Sequence, residues 1–395
     1  MLKIKVLYFS NAVEEKVFNQ VFANAKRTPS QAGQKYHNLT IDGFYLNDCE
    51  IENISIAPIS KGTYSKKWFG GKKYNSEKYR YISMPNISVL RNLWIFFYVF
   101  FKTFFSGKRK EKVVICDVLN FTVSMAVILA CKLTGKRAVG IVTDVPTKRA
   151  DKVKNPIKKL YSKMSFGLLK KFNGYVFLTE EMNILINRKN RPYIVAEGLV
   201  DISEKSSVET APQKYEKKVC LYAGSLKKIY GIEYLVKGFI RANIPDSELH
   251  VYGAGDFENE LKNLCEQYEN VKFFGIKPNS YVVEEEKKAH LLVNPRPTNE
   301  EYTKYSFPSK NMEYMVSGTP LLTTKLPGMP EEYNEYVFLI EHETEEGIKN
   351  ALCEVFEHSS DELVSFGRIA ADFVLDKKNN KIQVERILDL FKQLR

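Results

Sequence analysis

Short, unbroken apolar runs recur along this chain, each followed by a longer stretch with helical periodicity. That alternation constrains the fold more than any other feature. Candidate strands are KIKVLYF (3–9), VVICD (113–117), AVGIVT (138–143), GYVFL (174–178) and YIVA (193–196) in the first half. The second half offers KVCLYA (218–223), ELHVY (248–252), VKFF (271–274), HLLV (290–293) and PLLTT (320–324). Most lack alternation of polar and apolar residues, as expected of strands buried on both faces of a parallel sheet. Helical stretches between them make repeated βαβ units. Residues 201–217, DISEKSSVETAPQKYEK, are polar and rich in turn formers, and a new first strand follows directly. An α/β protein of two Rossmann-like domains joined near residue 210 is predicted, with domains at 1–205 and 206–379. Two domains also suit 395 residues, a length at which single cores stop growing.

Charge is unevenly spread. Residues 1–200 hold 34 Lys and Arg against 14 Asp and Glu, whereas residues 201–395 hold 25 against 33. A basic half suits an anionic partner, such as a lipid headgroup, a lipid pyrophosphate or nucleic acid; a lysine-rich solvated surface is the plain alternative. The six cysteines are scattered with no close pair to grip zinc, which fits a reducing compartment. MLKIKVLYFS reads as a first strand and not as an export leader, so a cytoplasmic location is expected.

In doubly wound sheets ligands bind beyond the carboxyl ends of the strands, where helix N-termini point. Four such loops lie in the second half. AGSLKKIYG (223–231) runs through Gly224, Ser225 and Lys228 into a helix. YGAGDFENEL (252–261) carries Gly253 and Gly255 but lacks the third glycine of a dinucleotide fingerprint. FFGIKPNSYV (273–282) places Gly275 at a strand end. The fourth loop ends in SFPSKNMEYMVSGTP (306–320), where Pro308 suits a helix start, Gly318 a left-handed stop and Pro320 a barrier to continuation. Lys310 stands in the first turn, an unfavourable place for a cation unless an anion docks there. Glu313, one turn on, is an acceptor-only group suited to a ribose diol. A simple i, i+3 surface ion pair is the alternative for this Lys–Glu couple.

The order YAGSL, VYGAGD, FFG and then NPRP followed by YSFPSKNMEYMVSGTP resembles the donor domain of family 4 glycosyltransferases, retaining enzymes of GT-B fold that often build bacterial polysaccharides. The resemblance is clearest over 218–340, weaker over 110–200 and only topological before that. It implies two Rossmann-like domains facing across a cleft, with the final helix, 380–395, crossing back to the first. It also implies a nucleotide-sugar donor whose ribose is held by Glu313, with Tyr305, Ser306, Phe307 and Ser309 cradling sugar and phosphates. Members often carry a glutamate where Tyr305 stands, and Glu300 and Glu301 lie a few residues earlier. They also often clamp the diphosphate with Arg and Lys at positions held here by Ser225 and Tyr230. Lys310 is the first substitute for that clamp and Arg296, in the NPRP turn, the second, with Lys227 and Lys228 behind them; a group using fewer cations, or an impaired enzyme, are the alternatives. No Asp-x-Asp motif occurs, so no metal site and no cofactor is expected, and the resemblance implies no protein nucleophile.

The acceptor side is expected from the basic half. Ser10 and Asn11 follow the first strand where members often have glycines. Asp117 and Asp144 end strands and are candidates for binding sugar hydroxyls or for a base, although an aspartate there also caps turns. No histidine follows an N-terminal strand, so no histidine base is expected, and His290 is assigned to the core. Residues 88–112, SVLRNLWIFFYVFFKTFFSGKRKEK, have an apolar run too short to span a bilayer. They read either as a crossover helix packed beneath its neighbours or as an element lying on an anionic membrane. A saccharide or lipid-linked saccharide acceptor at the inner face of the cell membrane would unite these features. A GT-B-type epimerase and a non-catalytic membrane or nucleic-acid binder are the rival readings; no basic–aromatic stacking motif favours nucleic acid.

Overall fold

Two all-parallel sheets organise the chain, one in each of two compact units: Met1–Leu199 with Asn380–Arg395, and Val200–Asn379. The structure is a computed structural model and describes residues 5–27, 29, 31–107, 112–145, 155–205 and 213–394. Outside these lie residues 3–4 of the first expected strand, 108–111 of the basic cluster, 146–151 of the loop after Asp144, and 206–212 of the expected linker.

The first unit contains β1 (Lys5–Ser10), β2 (Glu50–Ser55), β3 (Trp68–Phe69), β4 (Arg80–Tyr81), β5 (Met84–Pro85), β6 (Lys112–Asp117), β7 (Arg137–Val142), β8 (Gly174–Phe177) and β9 (Tyr193–Val195). Its main sheet runs β4-β2-β1-β6-β7-β8-β9, while β3 and β5 form a small antiparallel pair. β1, β6, β7 and β8 are buried almost throughout, as their unbroken apolar sequences require. β2 escaped the sequence reading because EIENIS carries two charges. Glu50 pairs with Lys5, and Glu52 with Arg80 and Lys102, so these charges are met at the rim of the sheet.

The helix Asn380–Gln393 belongs to this unit and packs on the helix Gln31–Leu46, where Phe391 stacks on Phe44 at 6.3 Å. Gly43 allows the approach: a Cβ there would stand 2.3 Å from the Asn380 carbonyl oxygen. The helix Ser88–Phe104 packs against the helix Phe121–Thr134, and Ile95, Val99 and Thr103 are its fully buried residues. The expectation that its wide apolar surface lies beneath neighbours is therefore corrected, because most of that surface is exposed.

The second unit contains β10 (Lys218–Ser225), β11 (Ser247–Ala254), β12 (Val271–Gly275), β13 (Leu291–Asn294), β14 (Leu321–Thr324) and β15 (Phe338–Ile340), ordered β12-β11-β10-β13-β14-β15. Its core gathers strand residues such as Leu249 and Val293 with Leu235 and Phe239 of the helix Ile232–Ala242 and Leu352 of the helix Glu345–Glu357. β15 is only three residues long, too short to announce itself by pattern.

Candidate functional site

In the second sheet the chain runs β10, β11, β12 to one side and then crosses to β13 on the other flank of β10. The carboxyl ends of β10 and β13 therefore border the topological switch point, where such sheets open a crevice for ligands. Glycines bring the loops there together. In register, Gly224 pairs with Gly253, and a Cβ on Gly253 (φ 133°) would stand 1.8 Å from the Gly224 carbonyl oxygen. Gly231 (φ 79°) presses the loop after β10 against Pro295, whose carbonyl oxygen would meet a Cβ at 2.0 Å. Gly275 closes β12 with φ 67°.

The helix Ser309–Val316 follows β13, with Pro308 at its N-cap and Gly318 (φ 74°) just beyond its end. Buried hydrogen bonds fix it to the sheet. Asn294 Nδ2 donates to Asn311 Oδ1 at 2.6 Å, and Thr323 Oγ1 donates to the Asn294 carbonyl at 3.1 Å. Tyr314 Oη accepts from the Ala223 amide (2.8 Å) and donates to the Ala223 carbonyl (3.1 Å), tying the helix to the end of β10. Burial drives the Tyr314 hydroxyl well above its usual pKa, so it stays protonated and able to donate.

Lys310 is held by two carboxylates, Glu313 at 2.7 Å and Glu286 at 3.4 Å. Burial acts to lower its pKa, yet the two carboxylates prevail and the ammonium is held above its ordinary value. Glu286, in the helix Asn279–Lys288, is fully buried and was not expected from the sequence, where it is one of three consecutive glutamates. The cation in the first helical turn thus has protein partners of its own. An external anion is not required to account for it.

Arg296, just past β13, is placed differently. Its guanidinium lies 4.9 Å from the ring centre of Tyr230 and 5.9 Å from that of Tyr302, a pair of cation–π contacts. Its Nε and the Tyr302 hydroxyl are buried and make no hydrogen bond among the described residues, and no carboxylate there pairs with it. Tyr230 occupies one of the two positions where the resemblance implied a clamping cation. Tyr302 had no signal beyond being an aromatic residue in the long loop after β13.

The remaining expected residues divide. Tyr305 and Ser306 are half-buried and Ser309 is exposed at the helix start, whereas Phe307 is buried against Tyr333 at 5.4 Å. Ser225 is exposed at the end of β10, where its carbonyl accepts from Tyr222 Oη at 2.9 Å. Lys228 does not join them: its ammonium pairs with Glu260 (2.6 Å) and Glu233 (3.2 Å) on the surface.

In the first unit the switch point lies between β1 and β6. Ser10 is buried there, and its Oγ accepts from the Ala12 amide at 3.2 Å. Asn11 Oδ1 is buried and makes no hydrogen bond among the described residues. Asp117 caps its turn, accepting from the Leu119 amide at 3.0 Å, and also faces His37 Nε2 at 3.4 Å. His37 Nδ1 in turn meets the Tyr8 hydroxyl at 2.5 Å, a buried Tyr–His–Asp chain. His37 sits mid-helix and not after a strand, which is why the sequence did not single it out. Asp144 accepts from the Val145 amide at 2.7 Å. His290 is buried, and its Nδ1 accepts from the Val219 amide at 3.2 Å.

Residues 204–371 match the family described as glycosyl transferases group 1. No curated protein matches this sequence. Among solved structures the chain is similar to sucrose-phosphate synthase from Thermosynechococcus elongatus, at 13% identity and TM-score 0.66 over 99% of both chains. It is also similar to Anabaena HepE in complex with UDP, at 12% identity and TM-score 0.65 over 99% of this chain and 100% of that one. The lipopolysaccharide outer core galactosyltransferase WaaB is a third, at 15% identity and TM-score 0.61 over 99% of both. The fold is that of GT-B glycosyltransferases, and the match over 204–371 supports sugar transfer as the activity.

Proposed function

We propose that this chain is a retaining, metal-independent glycosyltransferase of family 4. It would move a sugar from a nucleoside-diphosphate sugar to a saccharide acceptor, lipid-linked, in cell-surface polysaccharide synthesis. The observation that carries this reading is Arg296, a cation at the switch point of the second sheet, stacked on two tyrosines and paired with no carboxylate among the described residues. A diphosphate is the ligand that such a group suits, and the rings pre-set its orientation.

In this reading the bond between the sugar's anomeric carbon and the diphosphate oxygen breaks, and the acceptor hydroxyl oxygen bonds to that carbon. The acceptor proton passes to the donor phosphate, and the nucleoside diphosphate leaves. Negative charge grows on the diphosphate as this happens, so pre-placed donors there lower the barrier most. Arg296 meets that charge, helped by the amides that open the helix Ser309–Val316 and by Gly224 and Ser225. Glu313 accepts from the ribose hydroxyls while Lys310 holds it in place. Asp117 and Asp144 serve the acceptor side, with Ser10 and Asn11. No cofactor and no metal enters the scheme.

HepE's complex with UDP, and another with UDP-glucose, support UDP as the first nucleotide to try. Titration of UDP, GDP, ADP and CMP into wild type and Glu313→Ala, read by thermal shift, tests the reading. One nucleotide at about 100 times its dissociation constant should add about 2.7 kcal/mol of stability. That gain should vanish in the variant. A flat response to every nucleotide would reject the donor site.

A further inference from the structure

The first unit carries a second feature that sugar transfer does not use. In its sheet β6, β7 and β8 follow in one direction, so the right-handed crossovers that feed them lie on one face. The helices Ser88–Phe104, Phe121–Thr134 and Pro156–Leu169 form that layer, each packed on the next, with Phe121 and Tyr161 5.1 Å apart. All three leave apolar side chains in solvent. On the first, Leu93, Trp94, Phe97 and Phe101 are 53%, 48%, 53% and 50% exposed, on the side opposite the buried Ile95 and Val99. The second exposes Met125, Leu129 and Leu133, and the third Ile157, Leu160, Tyr161 and Met164. Between Trp68 and the first helix runs an open apolar groove of about 960 Å³, also lined by Trp94, Phe97 and Phe101. Soluble monomers rarely expose so wide an apolar surface without a use for it.

Charge says what covers it. The three helices contain no Asp or Glu at all. Lys132, Lys158, Lys159 and Lys163 are exposed along them, and Lys66 and Lys67 are exposed beside Trp68. We infer that this face docks on an anionic lipid bilayer, its aromatic and aliphatic side chains entering the headgroup boundary and its lysines meeting lipid phosphates. Interfacial helices divide their residues in this way, inserting on the order of 5–10 Å. Among the described residues no helix is long and apolar enough to cross a membrane, so the contact is one-sided. A second copy of the chain is the weaker occupant, because a two-fold contact would set against each other two layers of helices that carry lysines and no acidic residue.

The chain's two tryptophans, Trp68 and Trp94, both lie in the patch with ring centres 5.9 Å apart, so intrinsic fluorescence reports on it directly. The full chain is floated with vesicles of phosphatidylcholine alone, or with about one third phosphatidylglycerol, while tryptophan emission is followed. Binding and a blue shift are expected with the anionic vesicles and not with the neutral ones. Phe97→Ser with Phe101→Ser should abolish both without lowering the melting temperature, since both rings are exposed. Lys158→Glu with Lys159→Glu and Lys163→Glu should weaken binding on the order of fivefold or more per charge, with a shallower salt dependence. No flotation with anionic vesicles overturns the inference. So does a lipid-free dimer, by light scattering, whose emission is already blue-shifted and which Phe97→Ser with Phe101→Ser dissociates.

Discussion

The Lys310 ammonium lies 3.4 Å from Glu286, a carboxylate on another helix that is fully buried. The pair joins two elements of the second unit and orients Glu313, the third member, 2.7 Å away. Removing one partner of a buried pair strands the other, so Glu286→Leu should destabilise by about 3 kcal/mol, tempered by the part-exposure of Lys310. In a Lys310→Met background the same change should cost at least about 1 kcal/mol less. Urea unfolding of the four proteins measures this coupling, and purely additive values would contradict it.

Arg296 should act on diphosphates and not on nucleosides as such. Arg296→Ala is expected to weaken UDP about tenfold to a hundredfold by calorimetry, while UMP changes by less than about threefold. Turnover should fall by about two to three orders of magnitude. Arg296→Lys keeps the charge and loses the planar stack, so it should recover only part of the loss. An equal loss for UDP and UMP would place Arg296 away from the second phosphate.

Gly253 is a backbone requirement before it is a ligand contact. Alanine there combines φ 133° with a Cβ 1.8 Å from a carbonyl oxygen. Gly253→Ala should therefore cost about 3 kcal/mol or more, seen as a lowered melting temperature without any ligand. A variant as stable as wild type would show that β10 and β11 do not meet there as described.

His290 gives a pH signature. Burial, reinforced by Lys214 and Lys218, lowers its folded-state pKa below the ordinary value near 6.5. The unfolded chain thus takes up the proton first, and the stability held by the neutral ring is complete above about pH 6.5 and lost as pH falls through the lowered value. His290→Asn keeps an acceptor for the Val219 amide and cannot titrate. Its stability should fall less than that of wild type between neutral pH and pH about 5, by on the order of 1 kcal/mol. Parallel curves for the two proteins would count against a titrating His290.

Much of the architecture was legible because burial on both sheet faces forces continuous apolar runs, and β6, β7, β8, β10 and β13 were found that way. The strands that escaped had a local reason. β2 carries charges that are met by Lys5, Arg80 and Lys102 in the folded chain, β3, β4 and β5 have two residues each, and β15 has three. Likewise Gly231, Gly253 and Gly318 could be read as turn formers, but only the structure shows that carbonyls occupy the space of the missing Cβ at Gly231 and Gly253.

Sequence by itself determined the two parallel sheets, the loops at their carboxyl ends, and the helix that starts at Ser309 with Lys310 and Glu313 one turn apart. These follow from local chemistry: burial pattern, proline and glycine geometry, and helical spacing. Which cation is neutralised within the protein was decided only by tertiary structure. Lys310 meets a glutamate 24 positions earlier and Lys228 one 32 positions later, whereas Arg296 meets two tyrosines. The aromatic helix Ser88–Phe104 was likewise ambiguous until its neighbours were placed, because periodicity records which face is apolar and not whether anything covers it.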